Sequence, residues 1–74
     1  MIFVKDSEDR YVRVDGGVPV TWEVRDLDRG VGGRYEVRVN GGPGAGLRAY
    51  NDVQEARTAL ADLIAVVASK VHQL

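Results

Sequence analysis

Residues 18 to 39 read VPVTWEVRDLDRGVGGRYEVRV, and apolar and polar side chains alternate at both ends of this stretch. In the first half the apolar positions are Val18, Val20, Trp22 and Val24. In the second half they are Tyr35, Val37 and Val39. Alternation of this kind is typical of a strand that is buried on one face only. Residues 26 to 33 between the halves are rich in Gly and Asp, so the sequence predicts an antiparallel hairpin with a slightly long loop.

Shorter strand-like segments flank this hairpin. Residues 11 to 14 and residues 2 to 5 are predicted to form two strands before it, separated from it by the turn signal at 15 to 17. Residues 47 to 50 are predicted to form a further strand after it. There the pattern predicts Leu47 and Ala49 toward the core, and Arg48 and Tyr50 toward solvent.

From Asp52 onward the apolar spacing changes to that of a helix. The apolar stripe consists of Val53, Ala56, Leu60, Leu63, Ile64, Val67 and Val71. Asp52 and Glu55 have the spacing of a capping box, and Asn51 with Gln54 is the alternative register. No Gly or Pro interrupts residues 52 to 74. The sequence therefore predicts one helix of ~30 Å over that range. The expected fold is α+β: a two-layer sandwich of a three- to five-stranded antiparallel meander with one long C-terminal helix on one face.

Composition bounds the class of protein. The 74 residues carry a net charge of −1 and 45% hydrophobic residues, which is typical of one globular domain spanning 1–74. No cysteine is present, which fits a reducing compartment. The start of the chain is too short and too soon acidic for a signal peptide, and no apolar run approaches membrane-spanning length. We therefore expect a cytoplasmic protein.

Three motifs that could carry chemistry fail on their context. Residues 44 to 49 fit the G-x-G-x-x-A pattern of a dinucleotide-binding turn, but the helix signal comes only at residue 52, after a strand-like segment. Asp26 and Asp28 could begin a calcium loop, yet Val37 stands where the essential glutamate would be. His72 is the only histidine. We expect no catalytic residue, no cofactor, no metal and no small-molecule ligand, and hence no enzyme.

Arginine residues form the first candidate surface. Alternation places Arg13, Arg25, Arg34, Arg38 and Arg48 on the outer face of the sheet. Glu23 and Glu36 lie among them, which leaves a local balance of plus three, and Tyr11 and Tyr50 lie at the margins. One interpretation is a solvated ladder of Arg–Glu pairs. The other is a set of guanidinium groups that bind phosphates or guanine edges of nucleic acid.

Parts of the chain resemble the N-terminal DNA-binding domain of phage-type tyrosine recombinases. The similar segments are Trp22-Glu23-Val24-Arg25, Gly33-Arg34-Tyr35-Glu36-Val37-Arg38, and Tyr50 followed by Glu55-Ala56. This family sets a three-stranded antiparallel sheet against one C-terminal helix and docks the sheet in the major groove. The resemblance implies that Arg25, Arg34 and Arg38 face DNA.

The helix offers the second candidate surface. Ala59, Ala61, Ala65, Val66 and Ala68 lie beside the core stripe, so the apolar arc is wider than one sheet needs. One interpretation is a wide core with high helix propensity from alanine. The other is an interface for a partner or a homodimer, formed by Ala61, Ala65, Val66 and Ala68.

The sequence favours a small, non-enzymatic cytoplasmic accessory protein of phage or mobile-element type. It is predicted to act by binding a protein partner or a second copy of itself, and not a membrane. Nucleic-acid binding by the arginine-bearing face is the alternative.

Overall fold

The computed structural model describes residues 1–28, 33–40 and 49–73. Its elements are β1 (Ile2–Ser7), β2 (Arg10–Arg13), β3 (Val20–Asp26), β4 (Tyr35–Val39), β5 (Ala49–Tyr50), α1 (Val53–Val67) and β6 (Lys70–Gln73). Part of the predicted turn at 26–33 and all of the glycine-rich segment at 41–48, including Leu47 and Arg48, lie outside the described residues.

The strands form one six-stranded sheet in the order β5-β4-β3-β2-β1-β6. The first five strands pair antiparallel with their sequence neighbours, and β6 pairs parallel with β1. The α+β class, with one helix against a mostly antiparallel sheet, is confirmed. The expected strand number and the purely antiparallel sheet are wrong, because the end of the chain adds an edge strand.

The central hairpin follows the predicted alternation. Trp22 faces Val39 and Val24 faces Val37 across β3 and β4. The apolar side chains of both strands therefore lie on the same face of the sheet, the one that packs against α1. Val18 is an exception, because β3 begins only at Val20 and leaves Val18 exposed.

The core lies between this helix-side face and α1. Its buried cluster consists of Phe3, Tyr11, Val37, Leu60 and Ile64. Phe3 is fully buried, and its ring meets that of Trp22 edge to face at a centroid distance of 6.0 Å and an interplanar angle of 89°. This geometry is the one that aromatic pairs prefer.

Two short strands present the opposite faces to those expected. Tyr11 pairs with Trp22 and is buried, so Tyr11 and Arg13 lie on the helix side and not on the outer face. Tyr50 pairs with Tyr35 and packs against the core, whereas Ala49 pairs with Glu36. In each strand, burial of the large aromatic ring removes more apolar surface from water than burial of its aliphatic neighbour.

The helix begins where the capping signal predicts. Asp52 has extended backbone angles, and its Oδ1 accepts the backbone N–H of Gln54 at 2.8 Å. Glu55 lies in the first turn, where a carboxylate is favourable beside the positive end of the helix dipole. The N-terminal boundary is therefore confirmed.

The helix ends at Val67, so its predicted extension to residue 74 is wrong. Ala68 turns to extended angles, and the Ser69 N–H donates to the Met1 carbonyl at 2.8 Å. Residues 70 to 73 then pair with β1, with Val71 beside Phe3. Val71 thus leaves the helical stripe. Pairing with β1 satisfies backbone groups that would otherwise lie on an open sheet edge, and this outweighs the helix propensity of the segment.

Candidate interaction surfaces

Four charged side chains alternate in sign on the outer face of β3 and β4. Glu23 faces Arg38 and Arg25 faces Glu36 in the strand register. Along the strands, Arg25 Nη1 lies 3.5 Å from Glu23 Oε1 and Arg38 Nε lies 3.6 Å from Glu36 Oε1. Each charge therefore has opposite charges as neighbours both along and across the strands, and this charge quartet is neutral as a whole.

Exposure within the charge quartet is uneven. The Glu36 and Arg38 side chains are only 18% and 22% exposed. The Arg25 side chain is 53% exposed, which makes it the most exposed member of the charge quartet. The charge quartet therefore consists of one ion pair along each strand, with opposite charges facing each other across the strands, and is not a cationic patch.

Arg34, directly before β4, forms an ion pair with Asp26, the last residue of β3. Its Nε and Nη2 donate to the two carboxylate oxygens of Asp26, each at 3.0 Å, and its guanidinium lies 5.5 Å from the Tyr35 ring centroid. The hydrogen bond from Arg34, and then that from the Asp28 backbone N–H, lower the pKa of Asp26. The same pair raises the pKa of Arg34. Arg34 is thus bound in a two-point ion pair.

We expect Asp26→Asn to make the fold less sensitive to acid. Because folding lowers the pKa of Asp26, its ion pair stabilises the protein above the ordinary pKa of 3.8 and is lost as the pH falls through the folded-state value. Urea unfolding at about pH 7 and about pH 2.5 should show a smaller loss of unfolding free energy in the variant than in the wild type. Asp62→Asn, at an exposed carboxylate on α1, is the control and should follow the wild type. Identical pH dependence in all three proteins would contradict the expectation.

The remaining predicted arginines do not join the charge quartet. Arg13 lies on the helix side of the sheet, and its Nε donates to Asp15 Oδ1 at 2.9 Å. A hydrogen bond from the Ile2 backbone and then one from Arg13 lower the pKa of Asp15. Arg48 lies outside the described residues. The outer face therefore brings together Arg25 and Arg38, with Arg34 at its end.

Arg57 makes a long-range ion pair that sequence reasoning missed. Its Nε donates to Asp9 Oδ1 at 2.6 Å and its Nη2 to Asp9 Oδ2 at 3.3 Å, while Nη1 lies 3.8 Å from Glu8 Oε2. These bonds tie the turn between β1 and β2 to α1, and the one with Asp9 raises the pKa of Arg57. Arg57 and Asp9 are 48 positions apart, so no local pattern predicts the pair.

The solvent side of α1 carries three of the four predicted interface residues. Ala61 and Ala65 are exposed one turn apart, and the side chain of Val66 beside them is 83% exposed. Ala68 differs, because it is the C-cap residue and packs partly against the core. We call Ala61, Ala65 and Val66 the helix surface.

A shallow groove of about 480 Å³ runs between β5 and the N-terminal half of α1. Its lining includes Tyr50 and three acidic residues, Asp52, Glu55 and Asp62. Among the described residues, no group of three or more His, Cys, Asp or Glu side chains is placed to hold a metal ion. The groove is acidic and open.

The outer edge of β6 is a further surface that the sequence did not predict. All four of its residues are exposed. Its signal in the sequence is weak, because Val71 also fits the helical spacing.

Across the described ranges, no helix is long and apolar enough to cross a membrane.

Comparison of the chain with protein-family models, with curated proteins and with solved structures finds no match.

Proposed function

We propose that this chain is a small, non-enzymatic cytoplasmic accessory protein that acts through protein contacts, and that the helix surface is its self-association interface. The observation that carries the proposal is Val66. On α1 the large aliphatic side chains of Leu60 and Ile64 are buried, yet that of Val66 is 83% exposed. Burial of a valine side chain contributes about 1.5–3 kcal/mol, which an association could recover.

Two small residues on the solvent side of α1 suit a second helix. Ala61 and Ala65 have small side chains, so a helix packed against them can approach closely. A domain of this length buries a modest share of its surface by itself, so further burial through association is favourable. A two-fold contact whose axis passes beside Val66 would bring the two Val66 side chains together.

We expect Val66→Glu to abolish self-association without unfolding the protein. Light scattering after size exclusion, over a concentration series, should show the wild type moving from monomer toward dimer while Val66→Glu stays monomeric. Ala65→Glu should behave like Val66→Glu, because a carboxylate between two packed helices loses its hydration. Circular dichroism should be unchanged, since both positions are exposed.

The matched control is Gln54→Glu, which adds the same charge to an exposed position three turns earlier on α1. This variant should associate like the wild type. A wild type that stays monomeric at millimolar concentration would rule out self-association through the helix surface.

The alternative is nucleic-acid binding by the arginine-bearing face. Its support is Arg25, which is half exposed, and the resemblance to recombinase DNA-binding domains. The neutral charge quartet and the Asp26–Arg34 pair weaken it, because these arginines already have carboxylates beside them. A gel shift that weakens steeply with salt and is lost in Arg25→Glu would favour the alternative.

A further inference from the structure

The outer edge of β6 has hydrogen-bonding capacity to offer. β6 is the last strand in the sheet order and pairs with β1 on one side only; no other strand in the described part of the chain pairs with it. In such an edge strand, alternate backbone N–H and C=O groups point away from the sheet. The edge can therefore accept an additional strand.

The backbone pairing of β6 with β1 is also regular along the whole strand. Its four residues pair with β1 in a regular register, and the Ser69 N–H bond to Met1 holds its start. Proteins usually block edges with very short strands, prolines, bulges or a charged side chain such as lysine; on β6 the lysine is Lys70, whose charge repels a cationic strand and attracts a carboxylate. The opposite edge, β5, is only two residues long, whereas β6 contains no proline, glycine or bulge.

The two faces of β6 differ in chemistry. The register places Lys70 and His72 on the outer face beside Ile2 and Val4. It places Val71, which is 37% exposed, on the helix side. Among the described residues, no carboxylate lies within 4.0 Å of Lys70 or His72. The edge thus carries Lys70 and His72 on one face, and Val71 with the uncharged Gln73 on the other.

This charge pattern disfavours a second copy of the chain as the added strand. In an antiparallel two-fold seam, residues that face each other must lie on the same face of the sheet. A seam centred on Val71 sets Lys70 opposite His72 of the second copy, and a seam centred on His72 sets His72 opposite itself. Neither arrangement places an Asp or Glu side chain opposite Lys70, so a second copy leaves the Lys70 charge without a cross-strand partner.

We propose that the free edge of β6 binds an extended acidic segment of a partner protein, in which carboxylate and aliphatic side chains alternate, as a seventh strand. The carboxylates lie on the outer face beside Lys70 and His72, and the aliphatic side chains pack on the helix side against Val71. Backbone hydrogen bonds hold the segment and the alternating side chains select it. This site is separate from the helix surface and does not depend on the self-association proposed above.

A peptide titration tests the proposal. The probe is a blocked six-residue peptide of alternating Val and Glu, added to isotope-labelled full-length protein and followed by amide NMR shifts. The shifts should concentrate at residues 70 to 73 and at β1, and a peptide of alternating Val and Lys should bind at least about tenfold more weakly. Shifts that concentrate on α1, or equal binding of the two peptides, would overturn the proposal.

Backbone methylation tests the strand geometry. In a strand, the N–H groups of the Val residues point to one side and those of the Glu residues to the other. N-methylation of one set should therefore abolish binding, and methylation of the other set should leave it intact. Binding that survives both methylations would exclude strand addition.

A matched pair of variants tests the charges. Lys70→Glu should weaken binding of the Val–Glu peptide about tenfold, because an attractive cross-strand pair becomes repulsive. Gln54→Glu combined with Thr58→Glu changes the net charge equally, far from β6 along the chain, and should bind like the wild type. Equal weakening by both would show a long-range charge effect and contradict a site at β6. If the unliganded protein instead dimerises through residues 70 to 73, the occupant is a second copy and the proposal fails.

Discussion

Phe3→Ala should lower the free energy of unfolding by about 3–5 kcal/mol, because it removes a fully buried ring and leaves a cavity. Phe3 belongs to the same buried cluster as Leu60 and Ile64 of α1 and meets the Trp22 ring edge to face, so the core under the helix and β3 both lose packing. A domain of this length has a total stability of roughly 4–11 kcal/mol. The substitution therefore removes a large part of it.

Urea unfolding followed by fluorescence of Trp22, the only tryptophan, measures this effect. With a slope of about 1 kcal/mol per molar urea, the midpoint should fall by about 3 M or more. Val4→Ala is the matched control, since Val4 lies one position along β1 on the opposite face and is half-buried. It should cost about 1 kcal/mol or less. Equal losses in the two variants would mean that the core does not lie on the helix side of β1.

Gly33→Ala is expected to cost about 2–4 kcal/mol, although it adds only a methyl group. Gly33 has a φ of +86°, and a Cβ at this position would clash with the Ala49 Cβ and lie 3.0 Å from the Ala49 carbonyl carbon. The Gly33 N–H also donates to Asn51 Oδ1 at 3.0 Å, which holds this segment against the start of α1. The added methyl group therefore has no room unless β5 moves.

Gly17→Ala separates the two causes. Gly17 has a similar φ of +79°, but nothing lies within 4 Å of the position that its Cβ would take. The Gly17→Ala variant should lose only about 1–2 kcal/mol of unfolding free energy, which is the cost of placing a Cβ in the left-handed backbone region. If Gly33→Ala lowers the free energy of unfolding no more than Gly17→Ala does, the close approach to Ala49 does not contribute to the loss.

A double variant tests the contact directly. Ala49→Gly removes the atom that the new Cβ of Gly33→Ala would meet first. The double variant should therefore be more stable than the sum of the two single losses predicts, with a coupling of about 1 kcal/mol or more. Strict additivity would contradict the proposed clash.

Local patterns predicted the parts of the fold that depend on neighbouring residues. The hairpin of β3 and β4 has two long, unambiguous alternations, and the register pairs the predicted apolar positions. The start of α1 was equally clear, because Asp52 caps the helix from within the same turn. Both features depend only on interactions between residues that are close to each other in the chain.

The short strands were predicted less well because their patterns are ambiguous. Residues 11 to 14 carry apolar side chains in both parities, and only the pairing of Tyr11 with Trp22 decides which parity is buried. Arg13 therefore does not belong to the arginine-bearing outer face, because it shares the parity of Tyr11 and lies on the helix side. For the interface residues, the pattern placed Ala61, Ala65 and Val66 on the solvent side, but Ala68 required the true end of the helix.

The sequence by itself determined the hairpin, its apolar face and the first turns of α1, because side-chain period and capping are local properties. The tertiary structure decided where α1 ends, which face Tyr11 and Arg13 present, and that residues 70 to 73 form an edge strand. Each of these depends on a partner that is distant in the chain: β1 for β6, and Trp22 for Tyr11. The backbone of β1 offered hydrogen bonds that only the folded sheet brings within reach of Lys70–Gln73, and those bonds outweigh helix propensity there.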